Sequence, residues 1–77
     1  MKILKIIIVG AGNVGSELVK QLSKEDHDVY VIDKNEKAVE RIVESCDVLG
    51  VIGNGVSFDT LTEAGISTCD LLVACTE

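Results

Sequence analysis

The chain has no proline and no tryptophan, one tyrosine and one phenylalanine, so aromatic residues make up only 3% of it. Without proline there is no Pro-rich linker to separate folding units, and one compact unit is expected. With so few rings the core must be aliphatic, and an apolar fraction of 47% supplies enough Ile, Val and Leu to argue against disorder. Basic residues are also scarce, seven against thirteen acidic ones, for a net charge of −6. That sign opposes generic attraction to nucleic acid or to an anionic membrane, so no nucleic-acid partner is expected. Long apolar runs are missing too. None reaches the roughly 20 residues that cross a bilayer, which excludes direct membrane insertion. Ile6–Val9 is too short for a signal-peptide core, and a cytoplasmic location is expected. Cys46, Cys69 and Cys75 form no CxxC pair and have no nearby histidine, so they read as small packing residues rather than metal ligands. His27, in the polar stretch from Lys24 to Asp28, reads as a solvated turn residue.

Four short apolar runs are present: Ile3 to Val9, Val29 to Ile32, Val48 to Ile52 and Leu71 to Cys75. Each is rich in β-branched residues and bounded by Gly, Asn or Asp, which predicts strands. They are nearly continuous rather than alternating, as in a parallel sheet covered on both faces. Between the first two, Val14, Leu18, Val19 and Leu22 share a helical face. Next, Asn35 is placed to cap a helix with Glu36 in its first turn and Val39, Ile42 and Val43 as its buried stripe; the face carrying Lys37, Glu40 and Arg41 reads as solvated. In the third connection Ser57 is a candidate cap, Phe58, Leu61 and Ala64 an apolar face, and Gly65 a C-terminal stop. The expected fold is α/β, a Rossmann-like βαβαβαβ unit with a parallel sheet of strand order 3-2-1-4. Two helices then cover one face and one short helix the other. At 77 residues this is short for a domain, so residues 1–77 are expected to be one partial, truncated domain.

Gly10-Ala11-Gly12-Asn13-Val14-Gly15 directly follows the first strand, and Asp33 closes the second about 20 residues further on, the pattern of a dinucleotide site. Gly10 makes the tight turn, Gly12 leaves room for a pyrophosphate, and Gly15 lets helix and strand approach closely. The amides of Asn13 and Val14 belong to the helix start, where the dipole favours an anion. Asp33 accepts the hydroxyls of an adenosine ribose. A 2′-phosphate beside it would cost about 4 kcal/mol per unit charge pair at 4 Å and an effective dielectric of 20, which disfavours NADP. Lys34 offsets part of that repulsion. Gly53-Asn54 follows the third strand where an adenine would lie, and Thr76 ends the fourth strand beside the expected crevice. No nucleophile, base and orienter set accompanies these residues, so binding rather than catalysis is expected.

With these residues the chain resembles the nucleotide-binding N-terminal part of TrkA-type proteins, the RCK or KTN domains that regulate potassium channels and transporters. The likeness runs through Ile7-Ile8-Val9-Gly10-Ala11-Gly12-Asn13-Val14-Gly15, Val29-Tyr30-Val31-Ile32-Asp33 and Val51-Ile52-Gly53-Asn54-Gly55. It continues in Leu61-Thr62-Glu63-Ala64-Gly65-Ile66 and Asp70-Leu71-Leu72-Val73-Ala74-Cys75-Thr76. Asn54 departs from the Asp usual in the family. The resemblance implies a cytoplasmic regulatory subunit, a homo-oligomeric dimer or ring, that binds NAD(H) or else ATP, ADP or AMP. It also implies a membrane-embedded potassium channel or transporter subunit as partner. Two other readings of the same residues are the cofactor-binding domain of an NAD-dependent dehydrogenase and a structural dimerisation unit.

Overall fold

Each β-branched run forms a strand, and each intervening segment winds into a helix on the side its apolar stripe dictates. The computed structural model describes residues 3–55 and 57–75. Its elements are β1 (Lys5–Val9), α1 (Asn13–Ser23), β2 (Asp28–Asp33), α2 (Glu36–Ser45), β3 (Leu49–Ile52), α3 (Phe58–Glu63), a 3₁₀ turn (Ile66–Thr68) and β4 (Leu71–Ala74). All strand pairs are parallel, in the order β3-β2-β1-β4. β1 is central, with Ile7 opposite Tyr30 on β2 and Leu72 on β4.

The alternation of side chains along β1 builds two cores. Ile6 and Ile8 join Val29 and Val31 against Val19 of α1 and Val39 and Ile42 of α2. On the opposite face Ile7 and Ile32 pack with Ala64, flanked by Tyr30, Val51, Leu61 and Cys69. A fully buried Ile contributes about 1.5–3 kcal/mol, so the three isoleucines of β1 are a major source of stability. The α3 face is the more thinly covered: Leu49 and Leu72, which point to it, are 58% and 44% exposed. Cys46, Cys69 and Cys75 are free thiols, half-buried against these clusters.

The helix signals differ in how they resolve. The Asn35 side chain accepts a hydrogen bond from the Ala38 amide at 3.1 Å and caps α2. Gly65 takes a left-handed conformation just past α3 (φ 81°). Ser57 occupies the cap position of α3 without making the side-chain bond. Three residues assigned to buried faces are exposed. Val14 is 61% exposed because it lies one position, about 100° of rotation, from Gly15, and the buried stripe of α1 centres on Gly15 and Val19. Phe58, at 78%, opens α3 a turn ahead of Leu61. Val43 overhangs β3, an edge strand.

His27 is also more than a solvated turn residue. Its Nδ1 accepts the Leu4 amide at 3.1 Å, while the Asp28 amide donates to the Leu4 carbonyl at 3.0 Å. Together they fasten the entry of β1 to that of β2. His27→Ala is expected to lose about 0.5–1.5 kcal/mol of stability, and His27→Asn, which keeps an acceptor near the same place, to lose less. Urea denaturation of the two variants checks this.

Candidate nucleotide-binding site

The chain turns from β1 into α1 through backbone geometry that explains two of the three glycines. The Gly10 amide extends the β1–β2 ladder by donating to the Ile32 carbonyl at 2.8 Å, and its φ of 114° is one that L-residues rarely adopt. Gly15 is buried, and a Cβ on it would overlap the Gly10 carbonyl oxygen. Gly12 is different. At φ −75° and ψ −163° its backbone suits any residue, and it is exposed at the N-cap of α1. Conformation therefore does not demand glycine there, and the effect of having one is to keep the approach to the helix start clear of a side chain. The first α1 hydrogen bond runs from the Ser16 amide to the Gly12 carbonyl at 2.8 Å. Amides ahead of it, those of Asn13 and Gly15 among them, lie at the positive end of the helix dipole. No acidic residue occupies that first turn to compensate it.

Asp33 closes β2 beside this turn. Its Oδ2 accepts the Ala11 amide at 2.7 Å and its Oδ1 accepts the Asn35 amide at 2.9 Å. The Ala11 bond first, then the Asn35 bond, hold the carboxyl below the usual carboxylate range; Lys34 adds to them, and partial burial works the other way. At neutral pH Asp33 is therefore ionised, and each oxygen keeps acceptor capacity beyond its amide. Because the folded-state pKa is depressed, the associated stability is present above the unfolded value of about 4 and is lost as pH falls through the folded value. Asp33→Asn is expected to flatten the pH dependence of stability below about pH 4. Denaturation midpoints measured across that range check it.

Gly10, Asp33, Lys34, Gly53 and Asn54 line one cleft of about 200 Å³ beyond the carboxyl ends of β1, β2 and β3, floored by Val9 and Ile32. The Gly53 amide donates to the Asp33 carbonyl at 3.0 Å, which fixes the β3 loop against the acid. Ala11, Gly12 and Asn13 face a neighbouring groove between α1 and α2. Val14 lies on an outward apolar surface with Leu18, and Gly15 lies beneath the turn. Thr76 is outside the described residues. Sequence reasoning missed the Ala11 amide as a partner of Asp33, although its place one residue after the tight turn is the signal for it. At the opposite end of the sheet a second cleft is lined by Asp26, Asp28 and Asp47, whose charge repels a phosphate. Among the described residues no cluster of His, Cys, Asp or Glu is suited to a metal ion. No helix there is long and apolar enough to cross a membrane.

Comparison with known proteins places these features in a family. The TrkA-N domain profile matches residues 6–77. The Trk system potassium uptake protein TrkA of Azorhizobium caulinodans is 37% identical over 73 residues, 95% of this chain and 16% of that protein. TrkA homolog 1 of Methanosarcina mazei is 42% identical over 73 residues, 95% of this chain and 17% of that one. The chain thus spans about a sixth of the length of these relatives. The TrkA-N domain of the Escherichia coli inner membrane protein ybaL superposes with a TM-score of 0.83 at 27% identity, covering 96% of this chain and 55% of that one.

Proposed function

The chain belongs to the TrkA-N domain family, and from that premise we propose that residues 1–77 are part of a nucleotide-binding domain that controls potassium transport through a membrane-embedded channel or transporter subunit. TrkA-N domains are regulatory rather than catalytic modules. The ligand proposed is NAD(H), with ATP, ADP or AMP using the same loop and ribose acid. The backbone from Gly10 to Gly15 shapes the pyrophosphate cradle, Asp33 and Lys34 hold the ribose, and Gly53 and Asn54 border the adenine. One observation carries this reading: an ionised Asp33, its two oxygens already oriented by backbone amides, stands beside a helix start that has no acid of its own. Enclosed ligand sites usually measure about 300–1,000 Å³. The cleft of about 200 Å³ is smaller and fits the adenosine end, the phosphates lying over the glycine turn.

The domain would act at the inner face of the membrane through its partner, as a homo-oligomeric dimer or ring. Ligand changes transport only through differential affinity for two subunit arrangements, and the glycine turn with Asp33 is where that difference begins. A thermal-shift panel of NADH, NAD, NADPH, ATP, ADP and AMP tests the proposal. At about 100 times the dissociation constant, a true ligand stabilises by roughly 2.7 kcal/mol. NADPH is expected to stabilise less than NADH. Absence of any shift would overturn the reading, and equal shifts for NADH and NADPH would overturn the role given to Asp33.

A further inference from the structure

We propose that Asn54-Gly55 is a site of spontaneous deamidation, and that this reaction and nucleotide binding exclude one another; the second half rests on the nucleotide reading above. Of the three asparagines, only Asn54 is followed by glycine. It is exposed, lies in neither helix nor strand, and lines the cleft with Asp33 and Lys34. A side-chain amide is attacked by the next residue's backbone nitrogen when that nitrogen is unshielded and the chain can swing it round, and glycine meets both conditions. Here the Ser57 amide donates to the Asn54 carbonyl at 2.9 Å, while among the described residues the Gly55 amide donates to no backbone carbonyl. The bond to the Asn54 carbonyl polarises the peptide that Asn54 shares with Gly55, which makes the Gly55 N–H more acidic. Packing fixes Gly55 as glycine, because a Cβ there would overlap Val9 Cγ1. The fold therefore keeps an unshielded nitrogen next to Asn54.

The other two asparagines are held by their helices. Asn13 opens α1, its carbonyl accepts the Ser16 hydroxyl, and β-branched Val14 follows it. Asn35 caps α2 with its Oδ1 engaged by the Ala38 amide, and Glu36 follows. At Asn54 the reaction needs only water. The Gly55 nitrogen loses its proton and bonds to Asn54 Cγ, the bond from Cγ to the side-chain nitrogen breaks, and ammonia leaves with that proton, closing a succinimide ring. Water then opens the ring at Cγ to give aspartate, or at the backbone carbonyl carbon to give isoaspartate, whose main chain is longer by a methylene. Either product adds a carboxylate to the cleft that Asp33 lines. Isoaspartate also lengthens the loop between the Gly53 amide, held by the Asp33 carbonyl, and Gly55, seated against Val9. Both changes weaken the hold on a nucleotide, and an adenine bordered by this loop restrains the swing that brings the nitrogen to Cγ.

Incubation of the folded chain in mildly alkaline buffer with and without NADH, followed by peptide mass mapping and enzymatic methylation of isoaspartate, tests this. Ammonia loss is expected at Asn54 and not at Asn13 or Asn35, at a rate comparable to that of the chain unfolded in guanidinium. Asn54→Gln, which cannot close the same ring, should show none. At about 100 times its dissociation constant NADH leaves roughly one chain in a hundred unliganded, so it should slow the reaction about tenfold or more. Chain isolated after modification should bind NADH about tenfold more weakly than fresh chain. Asn54 left intact in the folded chain while the unfolded chain reacts would overturn the site. An equal rate in chain shown by thermal shift to be saturated with NADH, or equal affinity before and after modification, would overturn the exclusion. If NADH gives no thermal shift, the nucleotide reading fails and the exclusion falls with it, while ammonia loss from Asn54 in the unliganded chain still establishes the modification.

Discussion

Gly15→Ala is expected to destabilise the fold by about 3 kcal/mol or more, although the same change in an isolated helix would stabilise by about 1 kcal/mol. The reversal of sign is the test, because propensity and packing act in opposite directions here. An added Cβ would overlap the carbonyl oxygen of Gly10, a backbone atom held by a positive φ and a ladder bond to Ile32. Neither side can move cheaply: α1 would have to lift off β1, separating Val19 from Ile6 and Ile8. Chemical denaturation of Gly15→Ala reports the size of the loss. A stabilised variant would show that α1 is not seated against the β1 turn.

Asp33→Ala should lower affinity for NADH about 100-fold and narrow the preference for NADH over NADPH. Two charge-assisted bonds to ribose hydroxyls at about 1.5–3 kcal/mol each more than account for that loss. Removal of the carboxylate also removes the repulsion that a 2′-phosphate meets. Part of the loss is indirect, because the Ala11 and Asn35 amides lose their acceptor. Asp33→Asn separates the parts: one side-chain oxygen stays available to an amide while the charge is gone. Parallel titrations of both variants with NADH and NADPH check the expected order, with the parent most selective.

Much of the architecture was legible because it rests on local rules. The continuous β-branched runs marked the strands, and Asn35 and Gly65 marked helix ends through side-chain and backbone chemistry that needs no distant partner; the order β3-β2-β1-β4 came from analogy with mononucleotide-binding halves. The failures lie where an outcome depends on what covers a residue. Periodicity placed Val14, Val43 and Phe58 on apolar faces, but it carries no information on which rims a neighbouring element reaches. His27 was misread because its acceptor role exists only once the start of β1 lies beside it. Lys5 is similar: its Nζ donates to the Gly65 carbonyl and Thr68 Oγ1 and stands 4.8 Å from the centre of the Tyr30 ring, contacts that parallel pairing creates. In the site, the glycine turn and Asp33 were visible as a spacing. The amide bonds that pre-orient Asp33 were not.

Gly12→Val offers the most direct test of the central claim, that a nucleotide binds with its phosphates over this turn. The backbone at Gly12 accepts any residue and the position is exposed, so valine should cost only about 1 kcal/mol, the loss of a favourable N-cap, while filling the space in front of the helix start. Calorimetric titration with NADH is expected to give saturable binding to the parent chain and none to a Gly12→Val variant shown to be folded. Equal affinity in the two would contradict the account.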